Sequence, residues 1–256
     1  MKFQFFAVLI ALGLFVGMLL SLEIGRRIGK RMTRVPEKTP TGVGTAEGAV
    51  FALLGLLIAF TFSGAASRFD ERRQLIIEET NNIGTAWLRV DLLPADTQTQ
   101  MRQLFRTYLD SRLKVYQKLP DLEASKIELA RSEEYQTRIW KQAVEGCSQT
   151  KSTPCAQLLL PALNDMIDIT TTRTASAEFH PPMIVFVMLG LLALAGSALA
   201  GYSMSSGKRS WIHIVSFAAV LAVIFYVILD VEFPRYGLIR VDAMDQLLIN
   251  LLNSMK

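Results

Sequence analysis

The sequence predicts an all-α membrane protein with four transmembrane helices and an extramembrane antiparallel helical bundle between the second and third. Three observations predict it. First, hydrophobic residues make up 51% of the 256 and charged residues only 20%. With a mean hydropathy of +0.31, the chain is too apolar for an ordinary soluble domain and too charged to lie wholly in lipid, so the charge must be segregated. Second, four stretches are each close to the roughly 20 apolar residues that cross a ~30 Å hydrocarbon core. Third, the segment between the middle two repeats its apolar residues at threes and fours, with almost no strand signal.

The four stretches are Phe3 to Leu22, Ala46 to Ala66, Pro182 to Tyr202 and Trp211 to Leu229. Lipid cannot satisfy backbone polar groups, so each must be helical. The first reads as an uncleaved span rather than a signal peptide. Only Lys2 precedes it, no A-x-A-like site follows, and Glu23-Ile24-Gly25-Arg26-Arg27 comes next. The chain divides into 1–66 (helices one and two with a basic loop, 23–45), an extramembrane stalk at 67–180, helices three and four at 181–230, and a C-terminal amphipathic segment at 231–256.

Charge sets the expected orientation. The loop after the first span holds Arg26, Arg27, Lys30, Arg31, Arg34 and Lys38, and the loop between the last two holds Lys208 and Arg209. The positive-inside rule puts both loops in the cytoplasm and the stalk outside, which in a bacterial inner membrane is the periplasm. Arg68, Arg72 and Arg73, and Arg235 and Arg240 beyond the fourth span, pull the other way. Cys147 and Cys155 bracket a turn-forming stretch and can close a small disulfide loop in an oxidising compartment; two unpaired thiols are the alternative.

In the stalk, Phe69, Ile76, Thr80, Ile83, Trp87 and Val90 share one helical stripe. No Pro falls between Ala46 and Leu93, so the second span should continue out of the membrane as one helix of roughly 45 residues, near 70 Å. Gly84 is its weak point, at about 1 kcal/mol relative to Ala. Pro94-Ala95-Asp96 and Leu119-Pro120-Asp121 break the chain, with Asp96 as the expected cap of the next helix. Three further helices are expected at about 97–119, 122–146 and 156–178. His180-Pro181-Pro182 marks the return to lipid. Asp242 is the expected cap of a short last helix with Met244, Leu247, Leu248, Leu251 and Leu252 on its apolar face. That face belongs to the membrane interface or to the stalk.

Chemistry is sparse. No G-x-S-x-G, Gly-rich phosphate loop or H-E-x-x-H occurs, so no catalytic, cofactor or metal site is expected. Glu78 and Glu79 read as a solvated helical face, and His180 and His213 as interfacial anchors. The sequence pI of about 9.1 traces mainly to the cluster beside the first span. Anionic headgroups explain that cluster, and nucleic acid is not an expected partner. Small residues form ridges, Gly13 with Gly17, then Gly55, Ala59 and Ser63, then Gly190, Gly196, Ala200 and Gly201. They serve packing within one subunit, packing between subunits, or a pore. At the membrane exits, Arg68, Asp70 and Arg72 lie level with Asp230, Glu232, Arg235 and Arg240. Such charges select ions at a channel mouth, or simply anchor helices and pair with one another.

Three segments carry a resemblance. "LDVEFPRYGLIRV" (Leu229 to Val241), "GLLIAFTFSGAASRFDERRQLIIEETNNIGTAWLR" (Gly55 to Arg89) and "FHPPM" (Phe179 to Met183) resemble motifs of the bestrophin-like family of bacterial membrane proteins. The likeness runs from about Gly48 onward. It implies a homo-oligomer in the lipid bilayer, with ions as its partners, and an anion channel in particular. The second span would line the pore, which makes Phe60, Thr61, Phe62 and Ser63 the pore or gate candidates. It also implies a cytosolic stalk, against the charge argument. The other functional class is a non-conducting structural or sensory protein whose stalk binds a partner.

Overall fold

A computed structural model of the chain describes residues 2–32, 43–150, 154–206 and 211–255. Among the described residues eight α-helices run in order: α1 Lys2–Met32, α2 Val43–Arg89, α3 Ala95–Gln117, α4 Leu122–Thr150, α5 Leu160–Glu178, α6 Met183–Ser203, α7 Trp211–Glu232 and α8 Gln246–Ser254. A π-helical turn, Cys155–Leu159, leads into α5. No strand occurs among the described residues. Four helices are long and apolar enough to cross a membrane, and the protein is a multi-pass membrane protein.

The chain forms two compact units: residues 1–67 with 180–238, and residues 68–179 with 239–256. The membrane unit holds α1, the first half of α2, α6 and α7. Its core is built from small and medium residues, Met18, Leu54, Leu189, Ala193, Ala218 and Ala222, with Leu22, Ala200 and Ile214 beyond them. Small residues let the α1 and α6 backbones meet. A Cβ on Gly25 would overlap the Ala198 carbonyl, and one on Gly201 would overlap that of Leu22. Gly13, Gly55 and Gly190 have nothing within 4 Å of a built Cβ. The close crossing therefore lies at Gly25 and Gly201, whereas the expected ridge led with Gly13. The basic residues Arg26, Arg27, Lys30 and Arg31 lie on α1 rather than in a loop, because the helix continues to Met32. Arg34, Lys38, Lys208 and Arg209 lie outside the described residues.

The stalk unit holds the second half of α2 with α3, α4, α5 and α8. Its core joins Ile83, Trp87 and Val90 to Phe105, Tyr108 and Leu109, Ile139, Leu163 and Met166. Leu248 and Met255 belong to the same core, so the last helix packs on the stalk. α2 runs unbroken for 47 residues, and at Gly84 a built Cβ would stand 3.5 Å from Leu251 of α8.

Two expected caps are replaced. α3 begins behind Pro94, with Asp96 inside its first turn, because Pro fixes a helical φ without needing a partner for its nitrogen. Asp242 opens a 3-10 turn, Asp242–Asp245, and pairs with Arg240. Asp121 does cap α4, accepting from the Ala124 amide at 3.1 Å. α4 extends to Thr150, so Cys147 sits on a helix. It is joined as a disulfide to Cys155 at the start of the π turn.

Candidate functional site

The stalk core is not wholly apolar. Glu79, one of the two carboxylates read as solvated, is 0% exposed, whereas Glu78 faces outward. Adjacent helical residues point about 100° apart, so one of the pair must turn toward the core stripe of Ile76 and Ile83. Arg112 of α3, also 0% exposed, donates Nε–H to Glu79 Oε1 at 2.7 Å. Arg173 of α5 pairs with the other oxygen, Oε2, and reaches Asp245 at 3.6 Å. The two guanidiniums lie over the Tyr116 ring, at 3.7 Å for Arg173 and 5.3 Å for Arg112. Charge balances: two carboxylates face two guanidiniums, as burial demands.

Burial alone would raise the Glu79 pKa, but Arg112 and Arg173 outweigh it and hold the carboxyl down at about 2. Burial would lower that of Arg112, and Glu79 overcomes it, so Arg112 stays charged. One turn away Tyr108 is wholly buried, and its phenol is pushed above its usual value chiefly by that burial. Gln136 donates to Tyr108 Oη at 3.1 Å and to Thr170 Oγ1 at 2.9 Å, tying α3, α4 and α5 together. Among the described residues Arg112 Nη1 has no hydrogen-bond partner. Sequence reasoning missed Arg112 and Arg173. The available signal was their place on the apolar stripes of α3 (Leu104, Phe105, Tyr108, Leu109) and α5 (Leu163, Met166, Thr170), where a solvated cation does not belong.

The exit charges separate by role. Arg72, largely buried, donates to the Ser176 carbonyl at 3.3 Å and the Phe179 carbonyl at 3.0 Å, closing the end of α5. Asp70 pairs with Arg73 at 3.2 Å on the exposed side of α2. Arg68 is half-buried. In the membrane unit the "LDVEFPRYG" segment folds around a carboxylate. Asp230, 2% exposed, accepts the Leu238 amide at 2.8 and 3.0 Å and the Tyr226 hydroxyl at 3.2 Å. Gly237 lies so close that a Cβ there would overlap Asp230 Oδ1. Glu232, fully buried, bonds His180 Nδ1 at 2.9 Å. The His180 ring stacks on Phe233 with centroids 4.3 Å apart. His180 is thus a hydrogen-bonded link between the "FHPP" and "LDVEFP" segments. His213 is exposed near the start of α7, and Arg235 is half-buried.

The pore candidates do not share one face. Thr61 turns inward, 7% exposed, and donates its hydroxyl to the Leu57 carbonyl at 2.7 Å. Phe60, Phe62 and Ser63 are exposed. Phe60 and Ser63 continue a row that begins with Leu53 and Leu56, while Leu54, Thr61 and Ala65 form the packed side of α2. Among the described residues no group of three or more His, Cys, Asp or Glu is placed to hold a metal.

Comparison with known proteins agrees with this architecture. A bacterial bestrophin homologue from Klebsiella pneumoniae, solved as a point mutant, superposes with a TM-score of 0.71 at 14% identity, covering 94% of this chain and 97% of that one. The same homologue solved by zinc phasing gives 0.66 at 16%, covering 94% and 97%. A crystal structure described as a membrane protein gives 0.66 at 16%, covering 95% and 98%. No curated protein matches the chain. The family model of the bestrophin-like domain matches residues 12–244, and on that match, with the spans and stalk already described inside it, the chain belongs to the bestrophin-like family.

Proposed function

We propose that the protein is a homo-oligomeric ion channel of the bacterial inner membrane, with α2 of each copy facing a shared conduit. The observation that carries this reading is the burial pattern of α2. Leu53, Leu56, Phe60, Ser63 and Ser67 stay exposed at spacings of three and four, while Leu54, Thr61 and Ala65 are packed. A side chain the size of Leu or Phe gains about 1.5–3 kcal/mol on leaving water, so this row needs lipid, another subunit or a dewetted constriction around it. The two hydroxyls at its end favour a route that meets water over lipid alone. Phe60 is then the narrow apolar element, and Ser63 and Ser67 lead out of it.

The ionised residues exposed further along the same helix are Asp70, Glu71 and Glu78 against Arg73. Repeated around an oligomer, that balance is negative and favours cations at the mouth, the opposite sign to the anion channel implied by resemblance. Reconstitution in a planar bilayer under a salt gradient tests both points. Current from the purified oligomer, with a reversal potential on the cation side, is the expected result. A monomer in mild detergent, or no current from an intact oligomer, sinks the channel reading.

On this reading the stalk faces the periplasm. The Cys147–Cys155 disulfide supports this, since such bonds persist in oxidising compartments. Thiol labelling of intact cells with a membrane-impermeant reagent, with and without reductant, should modify the pair only after reduction from outside. A second reading, a stalk that binds a partner, draws support from the cleft described next.

A further inference from the structure

A cleft of about 400 Å³ opens between α3 and α4 on the stalk. It shares no lining residue with the buried charge network. Its floor is Leu104 and Gly146. At Gly146 a Cβ would stand 2.7 Å from the end of the Leu93 side chain, so α4 passes close to the turn before α3 there. Gln142 donates across the cleft to Gln100 Oε1 at 3.0 Å, which holds the two helices at a set separation. This bond commits one N–H of Gln142 and leaves the Gln100 amide to donate.

The walls carry a specific charge set. Arg138 and Lys141 both line the cleft from α4. Neither forms an ion pair with an acid among the described residues; Arg138 rests on the Tyr135 ring at 5.8 Å. Most other stalk cations near an acid are paired, as in Lys114 with Asp110 at 2.5 Å and Lys126 with Glu123 at 3.2 Å. Glu145 is the one carboxylate in the lining. The cleft therefore offers two cations, one anion and a carboxamide donor, while the Thr97 hydroxyl in its lining donates to Asp96 at 3.3 Å.

We propose that this cleft binds a small dicarboxylic α-amino acid. Arg138 and Lys141 each take one carboxylate, Glu145 takes the ammonium, and the Gln100 amide donates to a remaining carboxylate oxygen. The net charge of +1 in the cleft matches the net charge of −1 on such a ligand. The site is independent of conduction and stands or falls without it.

Titration calorimetry on the purified full-length protein in detergent tests the assignment, with L-glutamate, L-aspartate, succinate and glycine as probes. An acidic amino acid should bind saturably below about 1 mM, succinate more weakly and glycine not at all. Arg138→Gln and Lys141→Gln should each weaken acidic amino acid binding roughly tenfold or more. Glu145→Gln should weaken it too, while leaving succinate unchanged or tighter. All three positions are exposed on one helix, so circular dichroism should confirm an intact fold in each variant. Absence of saturable binding up to about 10 mM overturns the proposal. So does binding that persists unchanged in Arg138→Gln and Lys141→Gln, or a Glu145→Gln variant that loses succinate and amino acid alike.

Discussion

Glu79 is the residue on which the stalk's electrostatics turn. Its two oxygens are divided between Arg112 and Arg173, and removing its charge leaves two guanidiniums buried beside Asp245 alone. Breaking a buried pair in this way costs about 3–5 kcal/mol. Glu79→Gln should therefore lower the melting temperature of the purified protein far more than Glu78→Gln, whose side chain is exposed. The pH dependence has a definite sign. The Glu79 carboxyl titrates at about 2 in the fold, against an ordinary value of 4.5. Its stabilisation is complete above the ordinary value and is lost as pH falls from there towards about 2. Denaturant midpoints measured across that range should drop with acid in the wild type and much less in Glu79→Gln. A flat profile in the wild type would show that the carboxylate does not contribute. At Gly237 the effect is steric: Gly237→Ala would drive a methyl into the Asp230 carboxylate and undo the Leu238 amide bond. Asp230→Asn, which keeps the shape and loses half the acceptor capacity, should be the milder change.

At the scale of elements, the α1–α6 crossing and the α4–α5 link each make a prediction. Gly201→Ala would force a methyl into the Leu22 carbonyl, where backbone cannot retreat as a side chain can. Overpacking of that kind costs roughly 1–3 kcal/mol or more. Gly13→Ala, with open space around it, should be close to neutral by the same thermal assay. If Gly13→Ala proves the more damaging, a neighbouring copy must press on that face. The disulfide closes a short loop, for which chain entropy gives about 2–3 kcal/mol. Reduction should lower the melting temperature modestly without unfolding α4 or α5. Helices are also where the sequence was most readable. Hydropathy alone located the spans, and the absence of Pro from Ala46 to Leu93 was enough to foresee that α2 would not stop at the membrane. Caps were less legible. Asp96 and Asp242 have the right side chains, yet Pro94 and the Arg240 pairing took precedence, and local chemistry of that sort depends on neighbours that a single segment does not reveal. The buried charges were hidden for the opposite reason. Glu79 looks like any helical surface acid until Arg112 and Arg173, distant in sequence, are brought to it.

For the molecule as a whole, family membership follows from the match along most of its length, while the proposed conduction and selectivity rest on how α2 is used. Phe60→Ala should increase single-channel conductance or leak, because it removes the largest side chain of the exposed row. Thr61→Ala, inward-facing and bonded to Leu57, should alter stability more than current. The pore candidates show where sequence reading runs out. Position in the span groups adjacent residues, but a helix distributes neighbours over its circumference, and only the packed side of α2 reveals which of the four are exposed.

The position of Asp245 has a consequence for biogenesis. Arg112 and Arg173 leave the ribosome well before their last counter-charge, and Leu248 and Met255, which finish the same core, are later still. Two hydrophobic spans must be threaded into the bilayer in the interval. The stalk consequently spends that interval with an open groove and one guanidinium in surplus. It closes only once Asp245, Leu248 and Met255, which follow α7 in the chain, have joined it.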